Sequence, residues 1–261
     1  MLTDEQQSLR AGRVTASRVG VLMAGVAEDI LTYWQELTGQ RQPEDISKKW
    51  EVRLGNATES INLDLYGETN GLSVLRRGTV MIHPEYDWAA CTLDGYDPTK
   101  PCPVEAKHCG GYEPIEKLIE RYFPQLTWQM LCTKTRQAAL SVIMGANRPV
   151  VEYVSLNDGY ADELMIRAKQ FWGHVQARTA PVVLPEVPVP PPPTRTVSME
   201  GSNAWADSAA TWLRTQADAK LCKDAEKVLK AMMPDDAKIA KGHGVVVSRD
   251  RAGRLSLRVF A

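Results

Sequence analysis

The chain predicts an α/β core, a central mixed sheet flanked by helices, followed by a small C-terminal α+β domain. Three observations carry this expectation. Apolar residues at helical spacing dominate to about residue 66, β-branched and alternating runs begin near residue 74, and helices and strands then interleave to residue 178. Pro181 to Pro193 next holds seven prolines in thirteen residues, which predicts a semi-rigid polyproline II tether at about 3.1 Å per residue. A helix and a hairpin follow. The expected domains are residues 1–180 and 195–261, joined by a linker over 181–194.

Each element has a local reason. Thr3 to Leu9 and Ala16 to Met23 read as short helices opened by threonine at or near an N-cap position, and Glu28 to Thr38 reads as another. Ser47 to Tyr66 is longer, with Trp50, Leu54, Ala57, Ile61 and Leu65 at helical spacing as its expected buried stripe, ended by Gly67 and Gly71. Val74 to Ile82, Tyr86 to Leu93 and Val104 to His108 read as strands, with Gly95 allowing a turn after the second. Pro124 is expected to start a helix through Thr133. Ala138 to Met144 and Val151 to Leu156 read as strands, and Tyr160 to Arg178 as a long helix. In the tail, Ala204 to Met232 reads as a helix. Val245 to Ser248 and Leu255 to Phe260 read as a hairpin around Asp250-Arg251-Ala252-Gly253.

Composition bounds the function classes. The 261 residues are 44% hydrophobic and 24% charged, ordinary values for a globular protein. No apolar run approaches the roughly 20 residues that span a bilayer, so no membrane association is expected. The N-terminus has no basic segment followed by an apolar one and reads as no signal peptide. Five cysteines, an odd number without a C-x-x-C, predict reduced cytosolic thiols. The net charge of −1 hides an asymmetry. Residues 195–261 carry 12 Lys and Arg against 8 Asp and Glu, and residues 1–194 carry 19 against 24. The basic tail offers grip on a polyanion.

The chemistry-bearing pattern is Thr92-Leu93-Asp94-Gly95-Tyr96 followed by Pro103-Val104-Glu105-Ala106-Lys107-His108. Strand side chains alternate faces, so Glu105 and Lys107 point to one side and Val104 and Ala106 pack on the other. Asp94 would arrive from the neighbouring strand. Magnesium takes hard oxygen ligands, usually one or two carboxylates with water and phosphate. Such an ion polarises a phosphate and lowers the pKa of its bound water, and a lysine can orient that water and offset transition-state charge. The pattern therefore points to phosphodiester hydrolysis.

Three further stretches extend it. In Leu9-Arg10-Ala11-Gly12-Arg13-Val14-Thr15-Ala16-Ser17, Ser17 lies in the first turn of an expected helix, where free N–H groups favour an anion. Arg10 can grip a phosphate through two hydrogen bonds, with Arg13 as an extra contact. Gly55-Asn56-Ala57-Thr58-Glu59 places an acid off the apolar stripe of its helix. Tyr122-Phe123-Pro124-Gln125-Leu126-Thr127-Trp128-Gln129-Met130 places Gln125 and Gln129 one turn apart.

These four motifs, in this order over about residues 8–178, resemble the YqaJ/phage lambda exonuclease group of the PD-(D/E)xK nuclease superfamily. The resemblance implies a restriction-endonuclease-like core. It makes Asp94 and Glu105 metal ligands with the Ala106 carbonyl, puts Glu59 beside the metals as a further ligand, and makes Lys107 the catalytic lysine. It implies that Gln125 reaches the site and that Arg10 and Ser17 bind a 5′-phosphate. The family's Ser-Pro before Asp-Gly is Thr92-Leu93 here, and its second glutamine is Thr127. The implied activity is a magnesium-dependent 5′→3′ exonuclease on double-stranded DNA ends, with manganese as substitute and one or two ions. The implied partners are a homotrimer ring and a single-strand annealing protein, in a bacterial host's cytoplasm with a phage or prophage gene.

Other readings remain open. One is an endonuclease or an iron–sulfur-cluster nuclease of the same superfamily (the AddB type among them), although the cysteines lack suitable flanking positions. Another is a non-catalytic DNA-binding recombination scaffold. His83, His108 and His174 are scattered, and His108 is expected to be structural. In the tail, Lys220, Lys223, Lys227 and Lys230 form a basic stripe, a DNA or protein contact or a solvated face.

Overall fold

The computed structural model describes residues 4–71, 77–191 and 199–260. The chain divides into two compact units, Met1–Pro192 and Pro193–Ala261. The first unit runs α1 (Asp4–Arg10), β1 (Val14–Thr15), α2 (Ala16–Ala24), α3 (Ala27–Leu37), α4 (Trp50–Asn70), β2 (Thr79–Ile82), β3 (Ala89–Leu93), β4 (Gly95–Asp97), β5 (Cys102–Cys109), α5 (Ile115–Thr133), β6 (Gln137–Met144), β7 (Val150–Ser155) and α6 (Asp158–Ala177). The helix start expected at Thr3 and the strand start at Val74 lie outside the described residues.

Two mixed sheets form. One has the order β4-β5-β6-β7, with β5 and β6 parallel and the other pairs antiparallel. The other has the order β1-β3-β2, with β1 parallel and β2 antiparallel to β3. Helix α5 is the crossover that two parallel neighbours require. Alternation along β6 shows the layering. Ala138, Leu140 and Val142 join the main core with α2, α5 and α6, whereas Ala139 faces α4. The four-stranded sheet is thus sandwiched between α4 and the α5 side, as an α/β sheet buried on both faces must be.

Several local expectations are overturned. On α4 the buried residues are Asn62, Leu63, Tyr66 and Gly67, while Trp50 is 66% and Ile61 55% exposed. The face is chosen by polar contacts with the sheet. The Tyr66 hydroxyl donates to Asp97 Oδ2 at 2.8 Å, and Asn62 bonds to β5 and β6 backbone. Gly67 lies inside the helix, and Gly71 (φ 66°) caps it. Pro124 does not start α5; Pro114 sits at its N-cap and Pro124 is buried inside the helix. Gly95 makes no turn but pairs with Val104. Thr15 holds the N-cap position of α2 without a side-chain bond, its own N–H donating to the Tyr33 hydroxyl at 3.0 Å.

The proline-rich stretch is no free tether in its described part, which ends at residue 191. Val187 N donates to Met23 O at 2.9 Å, and Arg167 Nη1 donates to Pro185 O at 2.6 Å. Val187 and Val189 pack on the core. Gly25 makes this docking possible. Its φ is 68°, and a Cβ there would lie 2.5 Å from Leu184 O.

The second unit holds α7 (Asn203–Ala231), β8 (Ile239–Gly242), β9 (Val245–Arg249) and β10 (Leu255–Val259) in an antiparallel sheet of order β10-β9-β8. Strand β8 extends the expected hairpin to three strands. Ser202 caps α7 by accepting from Trp205 N. Met233 and Val247 are buried in this unit. Among the described residues all five cysteines are free, and no helix is long and apolar enough to cross a membrane.

Candidate active site

Strand β5 builds the centre. Its period of two sends Val104 and Ala106 into an apolar cluster with Leu63, Tyr66, Cys102 and Ala139 against α4. Glu105 and Lys107 face the other way, under α5. Asp94 stands where β3 hands over to β4, and its Oδ2 accepts from Ala106 N at 2.9 Å. The three motif residues therefore converge as expected, and Ala106 enters through its peptide.

Glu105 is only 1% exposed. A buried carboxylate is costly unless it is paired and hydrogen-bonded, and this one is both. Lys107 Nζ donates to Oε1. Gln125 Nε2 also donates to Oε1, and Gln129 Nε2 donates to Oε2, both at 2.5 Å. The two glutamines sit one turn apart on α5, where i and i+4 residues meet. Thr127, between them in sequence, is fully buried with its hydroxyl unpartnered; it is not part of the clamp. Lys107 also lies 5.1 Å from the Tyr122 ring centroid, a cation–π contact.

The electrostatics are those of crowded acid. Burial and then the Glu105 charge push the Asp94 carboxyl well above the ordinary range, against Lys107 and the Ala106 N–H; Glu59 adds in the same direction as Glu105. Burial disfavours the charge on Lys107, but Glu105 and Asp94 outweigh it and hold the ammonium above the usual lysine range.

Helix α4 braces this strand from behind. Asn62 Nδ2 donates to Lys107 O at 3.1 Å and to Ser141 O at 2.9 Å, and Ser141 Oγ donates back to Asn62 Oδ1. His108 Nδ1 and Thr58 Oγ1 lie 3.1 Å apart, the structural role expected of His108. Glu59, on the same helix, is half-buried and within electrostatic reach of Asp94.

The phosphate-binding candidates assemble beside it. Arg10 ends α1 and Ser17 opens α2, and Arg10 Nη2 donates to Ser17 Oγ at 3.3 Å. Burial lowers the Arg10 pKa, while the charges of Tyr33, Cys91 and Asp94 act in the opposite sense, so Arg10 lies within electrostatic reach of Asp94. Both residues line an open cleft of about 1020 Å³ together with Arg18, Arg41 and Asn56. Arg13 lines the cleft but spends its guanidinium on the Asp87 and Leu9 carbonyls. It braces the turn between α1 and β1.

The donor set suits a hard divalent cation: two carboxylates a strand apart, one held protonation-prone by burial and by the other's charge. Such an ion would relieve that repulsion. Asp94, Glu105 and the Ala106 carbonyl stand together as candidate ligands, with Glu59 within electrostatic reach of Asp94. Gln129, Asn62 and Tyr122 complete the site. The one-turn spacing from Gln125 hinted at Gln129; nothing local marked the other two.

The YqaJ-like viral recombinase domain matches residues 5–136. Among solved structures, an alkaline exonuclease from Laribacter hongkongensis superposes with a TM-score of 0.57 at 20% identity, over 67% of this chain and 94% of that one. The same enzyme in complex with dAMP gives 0.59 at 22% over the same shares. A phage-related exonuclease from Haemophilus somnus 129PT gives 0.52 at 14%, over 64% and 94%. No curated protein matches. The fold is thus one found in exonucleases, with the PD-(D/E)xK type of core, and the chain belongs to the YqaJ-like viral recombinase domain family.

Proposed function

We propose that this protein is a magnesium-dependent 5′→3′ exonuclease acting on double-stranded DNA ends, releasing 5′-mononucleotides and leaving 3′ single strands. The observation that carries the reading is the clamp on Glu105 by Lys107, Gln125 and Gln129, beside an Asp94 bonded to Ala106 N. The Laribacter hongkongensis enzyme bound to dAMP adds support, since a nucleoside monophosphate is the product class proposed here.

Asp94, Glu105, Glu59 and the Ala106 carbonyl would hold magnesium, with manganese as a substitute and one or two ions in place. The ion would supply a Lewis acid for the phosphate and a lower pKa for the attacking water. Lys107 offsets the charge that grows on the phosphate oxygens. Gln125 holds its geometry through Glu105. Attack on phosphorus breaks the bond to O3′ of the terminal nucleotide, and the proton passes to that oxygen. The shortened strand keeps a 5′-phosphate, so Arg10 and Ser17 can take the new end without rebuilding the pocket. A homotrimer ring around the DNA and a single-strand annealing partner belong to the same reading, as does a phage or prophage origin in a bacterial cytoplasm.

The pocket gives the test. Removing the 5′-phosphate from a linear duplex should slow digestion about tenfold, the loss of one charge-assisted anchor, and Arg10→Ala or Ser17→Ala should erase the difference. Equal rates on both substrates with the native protein would remove the pocket.

A further inference from the structure

Helix α7 is used by nothing in the site above. It runs for 29 residues and buries none of them. At 3.6 residues per turn, Trp205, Trp212, Lys220, Lys223, Lys227 and Lys230 fall within about 80° of one another around the axis. The indoles are 58% and 64% exposed. They stand about 10 Å apart along the helix, and the lysines continue the same stripe for about 15 Å.

The charges on this stripe are largely unspent. Lys230 pairs with Glu226. Lys220, Lys223 and Lys227 form no ion pair among the described residues, although Asp218 and Asp224 share the helix. Residues 195–261 carry four more basic than acidic residues. An anionic partner fits this charge.

The arrangement also discriminates between anions. A helix lying on an anionic bilayer puts its aromatic residues opposite its lysines; here they share one face. Exposed aromatics in line with a basic track match the pattern that holds a single strand, with bases stacked on rings and phosphates beside ammonium groups. A paired duplex presents no free base face to Trp205 or Trp212.

We propose that α7 binds single-stranded DNA, with Trp205 and Trp212 stacking on unpaired bases and the lysines following the phosphates. Resting on the exonuclease reading above, the ligand is the 3′-ended strand that digestion leaves.

The test uses the full chain and a fluorescent oligothymidine in EDTA, with anisotropy as readout. All substituted positions are exposed, so the fold should persist. Trp205→Ala with Trp212→Ala should weaken binding about tenfold or more. Lys223→Ala with Lys227→Ala should flatten the log–log salt dependence by about 1.4, roughly 0.7 for each phosphate that is no longer neutralised. Both variants should keep the native initial rate on duplex with magnesium. Unchanged affinity and salt slope in both variants overturn the proposal. So does a weakening that tracks a changed sedimentation coefficient, since the stripe would then be a protein contact. If the native protein digests no duplex yet the variants lose oligothymidine, the exonuclease reading fails and the binding helix stands.

Discussion

The two faces of β5 carry opposite chemistry. Toward α4, Cys102, Val104 and Ala106 close an apolar cluster with Leu63 and Tyr66. Toward α5, Glu105 and Lys107 sit among amides, an aromatic ring and a second acid. Side chains one residue apart thus hold the fold together on one side and crowd charge on the other. A strand can do this because its period is two. The cost falls on the charged side, where burial must be offset by pairing.

Substitutions on each face should separate the two roles. Lys107→Ala should cut hydrolysis by at least about 10²–10³-fold, the usual effect of removing one group that stabilises transition-state charge, while DNA binding persists. Native turnover in that variant would refute its assignment. Leu63→Ala, on the apolar side, should cost about 2–5 kcal/mol of stability and leave turnover per folded molecule unchanged, as read by urea denaturation beside an activity assay. Lost turnover without lost stability would mean that the faces are not separable.

Asp94→Asn should change stability least and fixes a sign. In the folded state Asp94 is held well above its ordinary pKa by burial and by Glu105. From the unfolded value of about 3.9 up to the raised one, folding takes up a proton. Stability therefore falls as pH rises through that window, and the loss is complete above the raised pKa. Asparagine removes the loss, so the variant should melt a few degrees higher at neutral pH, with the gain vanishing below about pH 4. Magnesium should raise the melting temperature of the native protein and not that of the variant. A variant that melts lower at neutral pH would contradict the electrostatic account.

What was legible in the sequence is what short-range rules decide. Alternation placed Glu105 and Lys107 together, and the resemblance singled out Arg10 and Ser17, which meet across β1. The glutamine pair followed from one turn of helix. What was not legible depends on distant partners. The face that α4 buries is set by Asn62 reaching residues 45 and 79 positions away, so an apolar stripe through Trp50 and Ile61 pointed to the wrong side. Pro124 resembled a helix start because proline is tolerated there, but Pro114 already supplied one. The proline-rich stretch read as a spacer because composition cannot register a backbone bond from Val187 to Met23.

The charged face of β5 is proposed to hydrolyse DNA from its 5′ ends. The most direct measurement is incubation of the full chain with linear duplex labelled at either end, in magnesium or EDTA, beside closed circular DNA. Magnesium-dependent release of labelled mononucleotides from 5′ ends, with circles intact, is expected. Nicked circles, release from 3′ ends, or equal activity in EDTA would contradict it.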